Sequence, residues 1–224
     1  MMLTSGYPVE AGVADSLAKP GRNVTGNTMY AETGVWGELL QLLREAKPDV
    51  KRVGILWTYV VPAFPKEEIE PGYAELKSAA LSLDLELHIV QVANSDQVPA
   101  ALAEIGEWKP GGLLLTSFLT GKAMPVVTQF AVDKGLPSIT DFDWMHRASP
   151  HPLLCYGALY REYGALYREL VQGAAALIDK ILRGANPGDL PIQRPRRFEL
   201  LVSLKTAKAI GLPVFLAQAD RVIE

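Results

Sequence analysis

The sequence predicts an α/β fold with a parallel sheet and Rossmann-like layering. Short apolar runs alternate with amphipathic segments between residues 36 and 140, and this alternation is typical of βα units. Consecutive βα units imply right-handed crossovers and a layered lobe of this kind. Linker-like stretches at 21–34 and 186–195, with a third near 143–152, predict that the chain crosses between lobes more than once.

Each element of the layered lobe has its own signal. The run Val53–Trp57 is apolar throughout, as expected of a buried strand. The helix before it places Leu39, Leu40 and Leu43 on one face. The run at 85–90 alternates only in part, which predicts a position near a sheet edge. In order, the predicted elements are a helix at 36–46, a strand at 53–57, a helix around 76–83, a strand at 85–90, a helix at 98–108, a strand at 113–115, a helix at 122–134 and a strand at 137–140.

The last third of the chain changes character. A short strand is predicted at 153–156, followed by a long helix at 159–182 with one apolar face and Gly184 just beyond its end. A proline-rich connector then leads to a strand at 198–204 and a short helix that ends near residue 210.

Composition excludes several classes of function. The net charge is −3 and the basic residues are scattered, which argues against nucleic acid as the main partner. The lone Cys155 rules out an intrachain disulfide. No apolar run reaches the roughly 20 residues that span a bilayer, and residues 1–10 lack the features of a signal peptide.

The sequence carries no established catalytic motif and predicts neither an enzyme nor a cofactor. It contains no P-loop, nucleophile elbow, H-E-x-x-H or C-x-x-C pattern. His146 and His151 share a loop with Asp141 and Asp143, so a metal site or a catalytic carboxylate pair is conceivable there. Polar loop residues near a hinge are the favoured reading of that group, and a buried inert thiol that of Cys155.

Aromatic and hydroxyl side chains collect where ligands of such sheets bind, beyond the carboxyl ends of the strands. The loops concerned are 57–65, 116–121 and 141–147. At or near predicted strand ends lie Trp57, Tyr59, Phe64, Phe118, Phe142, Trp144 and Tyr156, together with Thr58, Thr116, Ser117 and Thr120. Apolar walls with a few polar groups predict a small-molecule pocket, although Trp57 and Phe118 fit a core position equally well.

Five stretches of the chain have a distinctive sequence: SLAKPGRNVTG at 16–26, LREAKPDVKRVGIL at 43–56, YG at 156–157, DKILRGANPGDLP at 179–191 and FELLVSLKTAKAIGL at 198–212. Together they resemble ABC transporter substrate-binding proteins of the tryptophan/tyrosine-binding type, and the similarity runs nearly end to end. The resemblance implies a type I periplasmic-binding fold, with two Rossmann-like lobes, three crossing segments and a ligand held in the cleft.

The resemblance also implies a division of the chain and a set of partners. Residues 1–34 and 146–186 would form lobe one, which is incomplete, and residues 35–145 and 187–224 would form lobe two. The solute would pass to a membrane permease and ATPase, with closure of the lobes as the signal that the permease reads. A periplasmic or extracellular location follows from the same resemblance.

Three departures from the family's pattern stand out. The family begins with a signal peptide and opening βαβ units, whereas Ser5–Val9 resembles a late lobe-one loop. As written, lobe one would expose a sheet edge that offers a route to self-association. Thr58-Tyr59 replaces the usual Asn-Pro after the strand, and Ser149–Leu153 replaces the usual Gly-Gly before Tyr156-Gly157.

Carried over position by position, the resemblance gives candidate ligand-binding residues: Ser5, Tyr7, Thr58, Tyr59, Thr116, Ser117, Phe118, Asp141, Phe142 and Tyr156. Asp141 is expected to pair with a ligand ammonium or another donor. Thr58, Thr116 and Ser117 are expected to hydrogen-bond the polar end of the ligand, and the aromatic side chains to stack on its body. An aromatic amino acid or another small planar solute is the leading candidate.

Other functions stay open at this stage. A ligand-sensing domain of a signalling or regulatory system uses the same fold, but it would need an effector domain, and the sequence shows no helix-turn-helix. An enzyme on this scaffold would be indicated by a tightly bound metal or by turnover of a small ester or amide. A truncated, non-functional paralogue would explain why no signal peptide is present.

Overall fold

A computed structural model describes residues 2–5, 7–28, 34–58, 66–116, 123–141, 150–158, 165–195, 198–213 and 219–224. The strands are β1 (Met2–Ser5), β2 (Gly26–Thr28), β3 (Arg52–Thr58), β4 (Glu86–Val92), β5 (Gly112–Leu115), β6 (Ser138–Thr140), β7 (Leu154–Ala158), β8 (Phe198–Ser203) and β9 (Arg221–Ile223). The helices are α1 (Val35–Ala46), α2 (Lys66–Ser82), α3 (Val98–Glu107), α4 (Met124–Asp133), α5 (Ala165–Leu182) and α6 (Leu204–Ala209).

The described strands form two sheets. The larger has seven strands in the order β4-β3-β5-β6-β7-β8-β9, and β4 lies at its edge as the partial alternation of its sequence predicted. The first five of these strands run parallel, β8 is antiparallel to β7, and β9 is parallel to β8. The smaller sheet pairs β1 with β2 in parallel. The α/β class and the parallel layer predicted from the sequence are confirmed.

Helices cover both faces of the larger sheet because alternate residues of a strand point to opposite faces. On one face α1 and α2 pack against Val53, Ile55 and their neighbours, and Leu39, Leu40 and Leu43 of α1 are fully buried there. On the other face, α3 and α4 pack against Leu56, Leu113 and Leu115. The apolar stripes read from the sequence therefore lie on the core sides of their helices.

Glycines end the helices where the sequence placed them. Gly135 follows α4 with a φ of 63° and Gly184 follows α5 with a φ of 97°, both in the left-handed region that favours glycine. The amide of Ala185 donates to the carbonyl oxygen of Lys180 at 3.0 Å, the long bond of a Schellman ending. The described part of the long helix begins at Ala165, and residues 159–164 of its predicted range lie outside the described residues.

The smaller sheet packs with α5 and with the proline-rich connector. The side-chain amide of Asn27 donates to the carbonyl oxygen of Leu170 in α5 at 3.3 Å. The connector runs beside β2, since the amide of Thr28 donates to Gln193 and the amide of Gln193 donates to Gly26. A further bond ties Thr25 Oγ1 to the carbonyl oxygen of Leu190 at 2.8 Å.

The division into lobes remains a prediction. Two described segments are hydrogen-bonded to elements that the prediction assigns to the other lobe. Strand β7, within the segment assigned to lobe one, pairs with β6 and β8 of the seven-stranded sheet. The connector at 187–193, assigned to lobe two, is hydrogen-bonded to β2 of the smaller sheet and to the residues before it. Strand β9 at the sheet's other edge was not anticipated from the sequence.

No described helix combines the length and the apolar character that crossing a membrane would demand.

Candidate functional site

A row of side chains follows the carboxyl ends of neighbouring parallel strands β3, β5, β6 and β7. Leu56 is in register with Leu115, Leu115 with Thr140, and Thr140 with Cys155. The next residue on each strand is therefore aligned as well, and these residues are Trp57, Thr116, Asp141 and Tyr156. Partners in a parallel ladder point to the same face, so the row faces the layer that contains α1 and α2. This row is called the carboxyl-end row below.

The N-terminus of α1 lies against the first member of this row. The rings of Trp36 and Trp57 have their centroids 5.2 Å apart, and Trp57 meets Tyr73 of α2 edge-on at 5.6 Å. Trp57 is only 3% exposed and belongs to the core cluster of that face. Of the two interpretations that the sequence left open for Trp57, the core position is the one observed.

Thr116 and Asp141 form the polar middle of the carboxyl-end row. Thr116 is fully buried, and its hydroxyl donates to the carbonyl oxygen of Leu56 on the neighbouring strand at 3.2 Å. Asp141 is 4% exposed. The backbone of β7 lies close to Asp141 because residue 157 is a glycine: a Cβ there would overlap the carbonyl oxygen of Asp141. A buried carboxyl beside a buried hydroxyl is the kind of polar group that orients a ligand in an otherwise apolar pocket.

Tyr7 enters this region from the segment that follows β1. It is 5% exposed, its hydroxyl accepts a hydrogen bond from Trp36 Nε1 at 2.8 Å, and it donates to Glu75 Oε2 at 3.2 Å. Burial raises the pKa of Tyr7 well above the ordinary range, and the negative charges of Glu75 and Asp141 raise it further. Tyr7 is therefore a neutral hydroxyl under all ordinary conditions.

Tyr156 closes the carboxyl-end row on the side of the antiparallel strand. It is half-buried, and its ring lies 5.9 Å from the ring of Phe198 on β8. Burial raises the pKa of Tyr156, with smaller contributions from the charges of Glu38 and Asp220. Its ring is partly exposed and therefore accessible to a molecule bound beside the carboxyl-end row, whereas the ring of Trp57 is buried.

The remaining candidates are placed only in part. Ser5 is the last residue of β1, and Thr58 is the last residue of β3, which extends one residue beyond the predicted strand. The residues Tyr59, Phe64, Ser117, Phe118, Thr120, Phe142, Asp143, Trp144 and His146 lie outside the described residues. Among the residues that are described, no group of His, Cys, Asp and Glu side chains has the arrangement of a metal site. Cys155 is buried in β7.

Sequence reasoning missed Trp36 and Glu75. Trp36 is the first residue of a predicted helix and Glu75 comes just before another, so neither was expected at the end of a strand. In the structure they belong to α1 and α2. The available signal was Gly34 at the N-cap, which leaves the first turn of α1 without a capping side chain of its own. Glu75 fills this gap: its Oε1 accepts hydrogen bonds from the amides of Gly34 at 2.7 Å and Trp36 at 3.0 Å.

Comparisons with known proteins agree with this architecture. The family model described as ABC transporter substrate binding protein matches residues 1–215. A curated tyrosine-binding protein from Clostridioides difficile is 25% identical over 205 residues, which is 92% of this chain and 54% of that protein. The chain thus spans about half of the length of the curated relative that it matches.

Solved structures show the same fold. The ABC domain from Streptococcus pneumonia in complex with L-Trp superposes with a TM-score of 0.78 at 19% identity, covering 99% of this chain and 72% of that one. A ligand-free, open substrate-binding protein with adhesive properties from Clostridium difficile gives a TM-score of 0.68 at 21% identity, covering 99% and 70% of the two chains.

Proposed function

Because the chain belongs to the ABC transporter substrate-binding protein family, whose members bind solutes rather than catalyse reactions, we propose that it captures a small planar solute for an ABC-type uptake system. The first candidate is an aromatic amino acid. The chain would hand the solute to a permease and its ATPase, and it would work in the periplasm or outside the cell, where proteins of this family are typically found.

The observation that carries the proposal is the carboxyl-end row. Parallel α/β sheets bind ligands beyond the carboxyl ends of their strands. Here that edge presents a buried carboxyl on Asp141, a buried hydroxyl on Thr116 and the half-exposed ring of Tyr156. Such a combination fits a solute with an amino group and a flat body. Tyrosine and tryptophan, which the names of two similar proteins mention, are solutes of this kind.

In this proposal each part of the solute has a partner in the chain. Asp141 pairs with an ammonium or another donor, and the hydroxyls of Thr58, Thr116 and Ser117 bind the polar end. The aromatic side chains of Tyr59, Phe118, Phe142 and Tyr156 stack on the body, while Ser5 and Tyr7 contribute from the segment that contains β1. The solute lies between that segment and the seven-stranded sheet.

The proposal is tested by a thermal-shift screen of the purified chain against amino acids, small aromatic acids, purines and sugars. A ligand present at 100 times its dissociation constant stabilises the native state by about 2.7 kcal/mol, which corresponds to several degrees at this chain length. A shift confined to aromatic amino acids would support the proposal. A cooperative transition that none of these compounds moves would count against it.

A matched pair of variants tests the site itself. In Asp141→Asn the carboxylate charge is lost while the shape is kept, so the affinity for an ammonium ligand should fall by roughly tenfold or more, as expected for a charged hydrogen bond. Asp96→Asn is the control, because it changes an exposed carboxylate in the short turn after the edge strand β4 and outside the carboxyl-end row. Equal affinities of the two variants, measured by calorimetry, would remove Asp141 from the site.

A further inference from the structure

A buried chain of hydrogen bonds joins the segment after β1 to the helices of the seven-stranded sheet. The indole Nε1 of Trp36 donates to the hydroxyl of Tyr7 at 2.8 Å, and that hydroxyl donates to Glu75 Oε2 at 3.2 Å. Trp36 belongs to α1 and Glu75 to α2, whereas Tyr7 comes two residues after β1, the first strand of the smaller sheet. The contact therefore bridges the two parts of the fold between which the solute is proposed to bind.

Glu75 holds both ends of this bridge. Its Oε1 accepts the amides of Gly34 and Trp36 at the start of α1, where the cap residue supplies no side-chain bond. A carboxylate at this position also interacts favourably with the helix dipole. The same carboxylate thus fixes the first turn of α1, which carries Trp36, and receives the hydroxyl of Tyr7. Hydrogen bonds that share donors and acceptors in this way polarise and strengthen one another.

The packing around the bridge leaves little space. Gly72 of α2 lies so close that a Cβ there would come within 2.9 Å of Trp36 Nε1 and 3.3 Å of the Tyr7 hydroxyl oxygen. The phenol of Tyr7 therefore lies against Gly72 of α2, and its hydroxyl is hydrogen-bonded to Trp36 of α1 and Glu75 of α2.

We propose that Glu75 is a positioning residue that locks the segment after β1 onto α1 and α2 through Tyr7 and Trp36, so that Tyr7 acts in closing the cleft. This inference rests on the proposed function, since it describes how the same cleft is held shut. The structure contains this bridge, and an arrangement in which the segment after β1 moves away from α1 and α2 loses it. The bridge therefore raises the population of the arrangement that contains it before a solute binds. Affinity for a ligand that needs the closed arrangement rises with that population.

The test measures closure in the ligand-free chain. Cysteines introduced at exposed positions in α3 and α5, as Ala100→Cys and Lys180→Cys, carry a donor and an acceptor dye for single-molecule energy transfer. Cys155 is buried, so dyes attach to the introduced residues, and the chain with Cys155 alone serves as the labelling control. Helix α5 packs with β1 and β2, and α3 packs on the larger sheet, so the dye separation reports on the two parts.

Two variants distinguish a lock from a local cap. In Tyr7→Phe the cap of α1 by Glu75 is kept, but the hydrogen bonds of the Tyr7 hydroxyl with Trp36 and Glu75 are lost. In Glu75→Ala the cap and the bridge are lost together. Both variants are expected to shift the dye separation to larger values, and the exposed control Glu107→Ala is expected to match the unsubstituted chain. If Tyr7→Phe also matches the unsubstituted chain, Glu75 serves only as a helix cap and the proposal is overturned.

A spectroscopic signal backs the distance measurement. Removal of the Tyr7 hydroxyl takes away the acceptor of the Trp36 indole, so the Trp36 component of the tryptophan emission should change in Tyr7→Phe and not in Glu107→Ala. An unchanged spectrum would also overturn the bridge, and this readout remains available if Glu75→Ala fails to fold.

Ligand binding separates this inference from the proposed function. If the thermal-shift screen finds a ligand, Tyr7→Phe should weaken its affinity by roughly fivefold, the effect of one net hydrogen bond. If the screen finds none but the dye separation still increases in Tyr7→Phe, the lock stands and the proposed function fails. If a ligand binds equally well to Tyr7→Phe and the dye separation is unchanged, the lock fails and the proposed function stands.

Discussion

At the carboxyl end of the seven-stranded sheet, Trp57 and Asp141 are buried, whereas aromatic and acidic side chains at its amino end are partly exposed. Trp57 is 3% exposed and packs between two other aromatic rings. Trp108, near the start of β5, is only half-buried, with the guanidinium of Arg52 4.0 Å from its ring centre and the ring of His88 stacked at 5.2 Å.

The difference shows at which end of the sheet the chain buries polar side chains, which lose hydration when they are buried. Burial of a carboxyl or a hydroxyl requires hydrogen bonds to offset lost hydration. At the amino end the charged groups stay near solvent and avoid that cost. Lys51 pairs there with Asp84 at 2.9 Å, and His88 Nε2 lies 3.0 Å from Glu104 Oε1. At the carboxyl end Asp141 and Tyr7 are buried and Glu75 is half-buried. Costly burial of polar groups is typical of ligand-binding sites.

The largest expected effect on stability comes from replacing a tryptophan by alanine at the carboxyl end and comparing it with the same replacement at the amino end. Trp57→Ala should lower the free energy of unfolding by about 3–5 kcal/mol, because a buried indole is replaced by a cavity. Trp108→Ala should cost about 1–2 kcal/mol, since its ring is half-exposed and loses mainly a cation–π contact. Urea unfolding followed by circular dichroism measures both. Equal losses would show that the two ends are packed alike.

A methyl group added at the carboxyl end gives the next effect. Gly157→Ala should destabilise the fold by about 1–3 kcal/mol or more, because the new Cβ would overlap the backbone oxygen of Asp141. The control is Gly106→Ala in α3, where the nearest atom to the added Cβ is at 3.3 Å on the ring of Phe130. A thermal melt of Gly157→Ala that matches the control would mean that β7 can move away from β6.

Alkaline pH should affect the buried phenol of Tyr7. Its pKa in the folded chain is raised above the unfolded value, so its contribution to stability is complete below the unfolded pKa and is lost as pH rises through the folded one. Above about pH 10, the unfolded value for tyrosine, the unsubstituted chain should therefore lose stability more steeply than Tyr7→Phe. Tyr156→Phe, which removes the less buried tyrosine, should reduce the slope less.

The smallest effect is expected at the exposed amino end. The hydrogen bond and the charge of Lys51 hold the pKa of Asp84 below its usual range, so this pair contributes above the unfolded pKa and loses its contribution as pH falls through the folded one. Both side chains are well exposed and screened by solvent. Lys51→Ala should leave the melting temperature at neutral pH nearly unchanged, and a drop of several degrees would be inconsistent with an exposed pair.

Much of the larger sheet could be predicted from periodicity. The apolar run at Val53–Trp57 and the spacing of Leu39, Leu40 and Leu43 were sufficient because burial of one face imposes a fixed repeat on a strand or a helix. Gly135 and Gly184 marked helix ends because few other residues adopt their positive φ. Thr116 and Asp141 were placed directly after strands because the short runs before them predicted where β5 and β6 end.

Other features had no local signal. Strand β9 is three residues long and exists through its pairing with β8, and the short run Arg221–Ile223 carries too little periodicity to be recognised. The position of Trp57 in the core depends on Trp36 and Tyr73, which come from different helices. The role of Glu75 depends on the amides of Gly34 and Trp36, about 40 residues away along the chain.

The sequence by itself determined most helices and strands of the larger sheet and its parallel layer, because these depend on repeats and turn residues within a few positions of one another. Only the tertiary structure decided which strand ends are aligned, which aromatic rings belong to the core, and which carboxylate receives Tyr7. Those outcomes depend on strand register and on contacts between distant helices, where a shift of one residue would reverse the face to which a side chain points.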